Sequence, residues 1–239
     1  MKALILAGGR GKRLDEHTKD KNKCMVEVNG RSAISHSLDY AMNDNIDEII
    51  ITVGYMAERI INYFGNEYKG KKISYAIQWE QKGLVHAIEC ARELLDGDDF
   101  LLLLGDEVFL DPDHGKLISC YKENDVLAVT GTITVKDRNY IKKTYSLLFD
   151  DENTVQRLIE KPTNPLNNVM GTGSCVLSND IFKYIEMTPV HHMRKEKELP
   201  DLIQCAIDDG KIVKMAEISK EYVNINMRED LHAANRIFD

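Results

Sequence analysis

The sequence predicts an α/β fold on a mainly parallel sheet, and three observations lead there. Strand and helix signals alternate through the first half of the chain. Two of the strands, Lys2–Ala7 and Phe100–Leu104, are unbroken apolar runs, as expected where helices cover both faces of a sheet. No internal repeat, low-complexity segment or Pro/Gly/Ser linker divides the 239 residues. The chain therefore reads as a single domain, 1–239, whose halves 1–115 and 116–239 share one sheet.

The elements follow in order. Strand Lys2–Ala7 runs into a polar, glycine-rich loop that extends to Asn22. Met25–Val28 is a short apolar segment closed by the Asn29-Gly30 turn signal. Ser32 suits the N-cap of a helix to about Asn43, with Ile34, Leu38 and Ala41 on one stripe. Glu48–Val53 is a β-branched strand, Met56–Phe64 a helix and Lys72–Ile77 a strand. Leu84–Leu95 reads as one helix with Ala87, Ile88, Ala91, Leu94 and Leu95 on its apolar face. Phe100–Leu104 then stops at Gly105-Asp106. In the second half, Lys116–Tyr121 is a helix and Leu127–Val135 a strand. Thr144–Phe149 and Thr154–Ile159 flank a turn-forming acidic stretch and read as a hairpin. Val169–Leu177 is a strand interrupted by Gly171 and Gly173. Ile181–Met187 and Leu199–Asp208 are helices, the latter with Pro200 in its first turn. Ile212–Ile218 and Tyr222–Ile225 are strands, and Arg228–Phe238 closes the chain as a helix.

Composition excludes several classes. Hydrophobic residues make up 43% and charged residues 29%, which rules out collagen-like, mucin-like and disulfide-miniprotein readings. The longest apolar stretch is strand-sized, far below the ~20 residues of a membrane span, and the apolar start is too short for a signal peptide. A net charge of −8 argues against a general nucleic-acid or anionic-membrane binder. Five scattered cysteines with no C-x-x-C spacing fit reduced thiols and a cytoplasmic protein.

The strongest functional signal is Leu6-Ala7-Gly8-Gly9-Arg10-Gly11-Lys12-Arg13-Leu14, directly after the first strand. Three glycines in four positions let the backbone approach a ligand, and successive free N–H groups bind phosphate oxygens. Ligands of open α/β sheets lie beyond the carboxyl ends of strands, where this loop sits. Arg10, Lys12, Arg13, Lys19, Lys21 and Lys23 concentrate positive charge beside it, which suggests a polyphosphate. Two common phosphate binders do not fit. Leu14 occupies the third glycine of the dinucleotide fingerprint, which excludes a nicotinamide-dependent oxidoreductase. Arg13 follows Gly11-Lys12 where the Walker loop needs Ser or Thr.

The chain resembles the sugar-phosphate nucleotidyltransferase family. The family signature L-A-G-G-x-G-x-R-L, then Thr, P-K and M-V-x-V before Gly, is matched by Leu6–Leu14, Thr18, Lys23, Met25–Val28 and Gly30. Asn22 stands where the family usually has proline, which relaxes a turn and keeps the lysine. Gln78 and Gly83 resemble the base-recognition segment Q-x-x-x-x-G-T, with Leu84 in place of the threonine. Leu101–Asp106 resembles the strand that delivers a metal-binding aspartate. Glu160-Lys161-Pro162 resembles the E-K-P segment, in which Glu touches the sugar and Lys its phosphate. Met170–Ser174, with Gly171 and Thr172, occupies the stretch beside the sugar and departs from the commonest pattern. Tyr222–Leu231 resembles the terminal metal segment; Asn226 matches one form of it and Asn224 the other.

The resemblance implies a single-domain Rossmann-like (GT-A-like) enzyme that transfers NMP from a nucleoside triphosphate to a sugar 1-phosphate and releases pyrophosphate. CTP, UTP and dTTP are the favoured donors, because an amide such as that of Gln78 pairs with a pyrimidine edge. It implies nucleotide contacts from Leu6 through Arg13, with Arg13 on the β and γ phosphates and Lys23 near the α-phosphate. Asp106 and Asn226, with Asn224 as rival, would hold Mg²⁺. Glu160, Lys161, Gly171 and Thr172 would hold the acceptor. Two alternatives stay open. One is a cytidylyltransferase acting on a non-sugar phosphate or phosphonate, with Lys142-Lys143 as an anion site. The other is a non-catalytic regulatory member. A homo-oligomer is not legible in the sequence. Trp79 reads equally as a stacking or a packing residue, and His191-His192 as a loop pair.

Overall fold

The computed structural model describes residues 1–11, 14 and 22–238. In chain order it contains β1 (Lys2–Ala7), a 3₁₀ turn at Lys23–Met25, β2 (Glu27–Val28), β3 (Arg31–Ser32) and α1 (Ala33–Tyr40), then β4 (Glu48–Val53), α2 (Ala57–Phe64), β5 (Glu67–Tyr68) and β6 (Lys71–Ile77). There follow α3 (Leu84–Cys90), α4 (Arg92–Leu95), β7 (Phe100–Leu104), β8 (Glu107–Leu110), α5 (Gly115–Glu123) and β9 (Ala128–Thr134). The remainder is β10 (Tyr145–Phe149), β11 (Val155–Glu160), β12 (Val169–Leu177), α6 (Leu199–Asp208), β13 (Val213–Glu217), β14 (Glu221–Asn224) and α7 (Arg228–Arg236).

Neighbouring strands run β11-β10-β12-β7-β1-β4-β6-β5, with β9 on β12 and β13 on β9. The centre, β7-β1-β4-β6, is parallel, whereas β12 joins β7 antiparallel. Alternation along β1 shows why both faces are covered. Leu4 and Leu6 point into one core with Val85 and Ile88 of α3 and Leu202 of α6. Ala3, Ile5 and Ala7 point into the other with Ile34 and Leu38 of α1, Ile60 of α2 and Leu117 of α5. Successive side chains on a strand face opposite ways, so an unbroken apolar strand needs two helix layers.

β12 opens the place where the site forms. Its first residues pair with β10, Tyr145 opposite Gly171 and Ser146 opposite Met170. Its last residues, Cys175–Leu177, pair with β7. The C-terminal end of β7 and the start of β10 thus meet at Thr172–Ser174. Gly171 is required there, because a Cβ would lie 2.0 Å from the Tyr145 ring.

Several expectations are corrected. The helix 84–95 is two helices, because Ala91 closes a tight turn (φ −91°, ψ −3°). The break turns Leu94 outward while Leu95 stays buried. Ser32 sits at the N-cap of α1, yet its hydroxyl bonds the Ser35 hydroxyl at 2.6 Å rather than a backbone N–H. Residues 181–187 form no α-helix; Ser178 caps a 3₁₀ segment, Asn179–Tyr184, that starts two residues earlier. As expected, β7 stops before Gly105-Asp106; β8 then follows at once and pairs antiparallel with β14 in a separate two-stranded sheet. The Asn29-Gly30 turn does form, both residues at positive φ (49° and 73°), closing the β2–β3 hairpin.

Candidate active site

The glycine loop leaves the C-terminal end of β1, and β7 delivers Asp106 from the adjacent parallel strand. A cavity of about 430 Å³ lies beyond both ends, lined by Leu6, Gly9, Gly11, Lys23, Cys24, Asp106, Lys161 and Asn226. Residues from both halves of the chain meet in it. Arg13 and Lys12, expected on the phosphates, lie outside the described residues, as do Thr18, Lys19 and Lys21.

Lys23 sits at the centre. Its Nζ donates to the Asp106 carboxylate and to Asn226 Oδ1 at 2.8 Å. Asn226 is held in turn: its Nδ2 donates to Asn224 Oδ1 at 2.7 Å, and its backbone N–H donates to Asp230 Oδ2 at 2.9 Å. Of the two asparagines, Asn226 lines the cavity and Asn224 orients its amide. Cys24 beside Lys23 is buried, which pushes its thiol pKa far above the usual range.

On the base side, Gln78 is buried. Its Nε2 donates to the Gly83 carbonyl at 3.0 Å and meets His86 Nδ1 at 3.1 Å. Gly8 packs on the same amide: a Cβ there would lie 2.5 Å from Gln78 Oε1. Gly83 takes a φ of 95°, a region open to glycine. Trp79 is 86% exposed.

On the acceptor side, Lys161 takes a left-handed φ of 43°, at a cost of about 1–3 kcal/mol for a non-glycine residue. Its Nζ reaches Glu160 Oε1 at 2.9 Å. Arg194 Nη2 donates to the same oxygen at 3.1 Å. Burial raises the pKa of Glu160, and Lys161 and Arg194 oppose that rise. The Lys161 N–H donates to the Thr144 carbonyl at 2.7 Å, and the Thr144 hydroxyl is buried without a partner among the described residues. Thr172 is buried, and its hydroxyl donates to the Gly131 carbonyl at 3.0 Å. Lys142 and Lys143, both exposed, end a 3₁₀ segment anchored by the buried Ile141. His191 and His192 stack on each other, ring centroids 5.1 Å apart.

Sequence reasoning missed the roles of three residues here. Arg194 lies in a charged run with no motif. Glu107 is buried and accepts from the Gly173 N–H at 2.9 Å and the Tyr222 hydroxyl at 2.7 Å. Burial raises its pKa to about 8, and its hydrogen bonds tie β8, β12 and β14 together. Asn22 does not relax its turn; its amide makes three hydrogen bonds, two of them buried.

A sequence profile described as nucleotidyl transferase matches residues 2–223. The chain is 31% identical to the UTP–glucose-1-phosphate uridylyltransferase AglF of Haloferax volcanii, over 99% of this chain and 96% of that one. It is 30% identical to the bifunctional protein GlmU of Methanocaldococcus jannaschii, over 99% of this chain and 54% of that one. It thus spans nearly all of the first relative and about half of the second. Among solved structures, a putative glucose-1-phosphate thymidylyltransferase from Bacillus anthracis superposes with a TM-score of 0.87 at 24% identity, over 99% of this chain and 94% of that one. That likeness establishes the fold. Among the described residues, no helix is long and apolar enough to cross a membrane.

Proposed function

The chain belongs to the nucleotidyl transferase family, and from that premise we infer that it transfers NMP from a pyrimidine nucleoside triphosphate to the phosphate of a sugar 1-phosphate. UTP and a hexose 1-phosphate are the first pair to test, because AglF is named for UTP and glucose 1-phosphate. The observation that carries the reading is the single cavity where the glycine loop, Lys23, Asp106 and Lys161 converge.

In the reaction, an acceptor phosphate oxygen attacks the α-phosphorus, a new O–P bond forms, and the bond to the β-phosphate oxygen breaks. Pyrophosphate leaves with that bond's electrons. A phosphate monoester with its second pKa near 6 is already an anion at neutral pH, so no protein base is needed. The barrier is the meeting of two anions, and catalysis rests on placement and charge neutralisation. The glycine loop would cradle the triphosphate, with Arg13 on its β and γ groups. Lys23 would neutralise charge at the α-phosphate. Gln78 would read the base. Lys161 and Arg194 would set the acceptor phosphate.

The donor set suits a hard divalent ion. The Asp106 carboxylate and Asn226 Oδ1 converge on one point, where the Lys23 ammonium now satisfies both, and Mg²⁺ prefers such oxygens with phosphates completing its shell. When bound, Mg²⁺ would neutralise the phosphate charge. The five cysteines are free thiols, in keeping with the cytoplasm as the proposed setting.

The test is a matrix of UTP, dTTP and CTP against glucose 1-phosphate, other sugar 1-phosphates and phosphocholine, with pyrophosphate as the readout. Release with UTP or dTTP and a sugar 1-phosphate is expected. Release with CTP and phosphocholine alone would replace the acceptor, and no release from any pair would leave the regulatory reading.

A further inference from the structure

Asn22 is fully buried, and its side chain touches three segments of the nucleotide side. Nδ2 donates to the Ala7 carbonyl at 2.9 Å and to the Tyr55 carbonyl at 2.7 Å. Oδ1 accepts the Cys24 N–H at 2.8 Å. An amide has two donor hydrogens, and both are spent on carbonyls from different strand ends. Ala7 is the last residue before Gly8. Tyr55 returns to the same loop twice: its N–H donates to the Gly8 carbonyl at 3.2 Å, and its ring carries the Arg10 guanidinium 5.3 Å from the centroid. Cys24 follows Lys23 in the 3₁₀ turn that aims the lysine into the cavity.

We infer that Asn22 is a positioning residue of the transfer step: its amide locks the turn carrying Lys23 to the start of the glycine loop and to the Tyr55 turn, so that the lysine and the phosphate cradle move as one unit. The inference rests on the function proposed above. Placement matters there, since a displacement of ~1 Å at a reacting group costs about 100-fold in rate. The backbone of Asn22, at φ −64° and ψ 145°, matches the φ that a proline ring imposes. Proline would therefore keep the turn's course but tie neither carbonyl. The amide adds a cross-link between strand ends that backbone shape alone does not supply.

That equivalence provides the experiment. Asn22→Pro and Asn22→Ala are compared with the wild type by melting temperature, kcat, nucleotide KM and amide hydrogen exchange at Tyr55. Asn22→Pro is expected to melt within a few degrees of the wild type. Its kcat should fall about 10-fold or more with nucleotide KM within about 3-fold, and its Tyr55 amide should exchange at least 10-fold faster. Wild-type kcat and exchange in Asn22→Pro would overturn the inference. So would a loss of kcat that only follows the loss of folded protein in both variants. Should the wild type release no pyrophosphate with any substrate pair, the functional reading fails on its own. The exchange rate at Tyr55 then decides the cross-link: unchanged protection refutes it and faster exchange supports it.

Discussion

Lys23 and Asp106 stand 83 positions apart in sequence, yet the ammonium of one donates to the carboxylate of the other at the floor of the cavity. On the proposed mechanism, the pair keeps a cation at the point where phosphate charge would be neutralised. On that mechanism Lys23→Ala would remove a charge needed most as the α-phosphorus is attacked, while binding of the triphosphate would still rest on the loop. Turnover is expected to fall by about 100-fold or more, with nucleotide KM within a few-fold, in steady-state pyrophosphate release. Near-normal turnover would remove Lys23 from the chemistry.

Gly8 and Gly9 separate two kinds of crowding. A Cβ on Gly8 meets Gln78 Oε1 at 2.5 Å, whereas a Cβ on Gly9 meets nothing within 4 Å. Gln78 cannot swing aside freely, being bonded to Gly83 and His86. Gly8→Ala should therefore lower the melting temperature without ligand and raise nucleotide KM. Gly9 lines the cavity, so Gly9→Ala should leave the ligand-free melting temperature unchanged and raise nucleotide KM alone. Thermal melts and KM for the two variants check both halves.

The elements legible in the sequence are those set by local chemistry. Lys2–Ala7 and Phe100–Leu104 read as buried strands because every residue is apolar, and Asn29-Gly30 reads as a turn because it needs positive φ. The break at Ala91 stayed hidden because apolar residues continue on both sides of it. The site residues that escaped depend on distant partners. Arg194 finds Glu160 from 34 positions away, inside a charged run that would otherwise pass for a solvated loop. Glu107 is a surface acid until β12 and β14 fold over it. Asn22 showed only as a missing proline, since its two carbonyl partners come from separate strand ends.

Lys161 and Arg194 share one oxygen of Glu160, so their effects are coupled. Each single alanine variant should raise the acceptor KM by about 10–100-fold, the range of a charged hydrogen bond, and leave nucleotide KM nearly unchanged. The double variant should lose less than the product of the two, because both act through the same carboxylate. Acceptor KM in a double-mutant cycle measures this; strict additivity would show that the two cations work independently.

His114 makes the stability of the fold depend on pH. Its ring is buried, stacked on Tyr40 at 4.7 Å and edge-on to Phe109 at 5.3 Å, with Nε2 3.1 Å from the Ser174 hydroxyl. Burial lowers its pKa to about 3, against about 6.5 in an unfolded chain. Between those values the unfolded state binds a proton that the folded state refuses. The contribution is fully present above about pH 6.5 and is lost as the pH falls towards 3, at a limiting slope of about 1.4 kcal/mol per pH unit. Other groups titrate over the same range, so the quantity to follow is the difference between the wild type and His114→Gln in urea unfolding at several pH values. The wild-type advantage seen at pH 7.5 should shrink steadily by pH 5. A constant difference would mean that the ring takes up its proton in the folded protein as easily as in the unfolded chain.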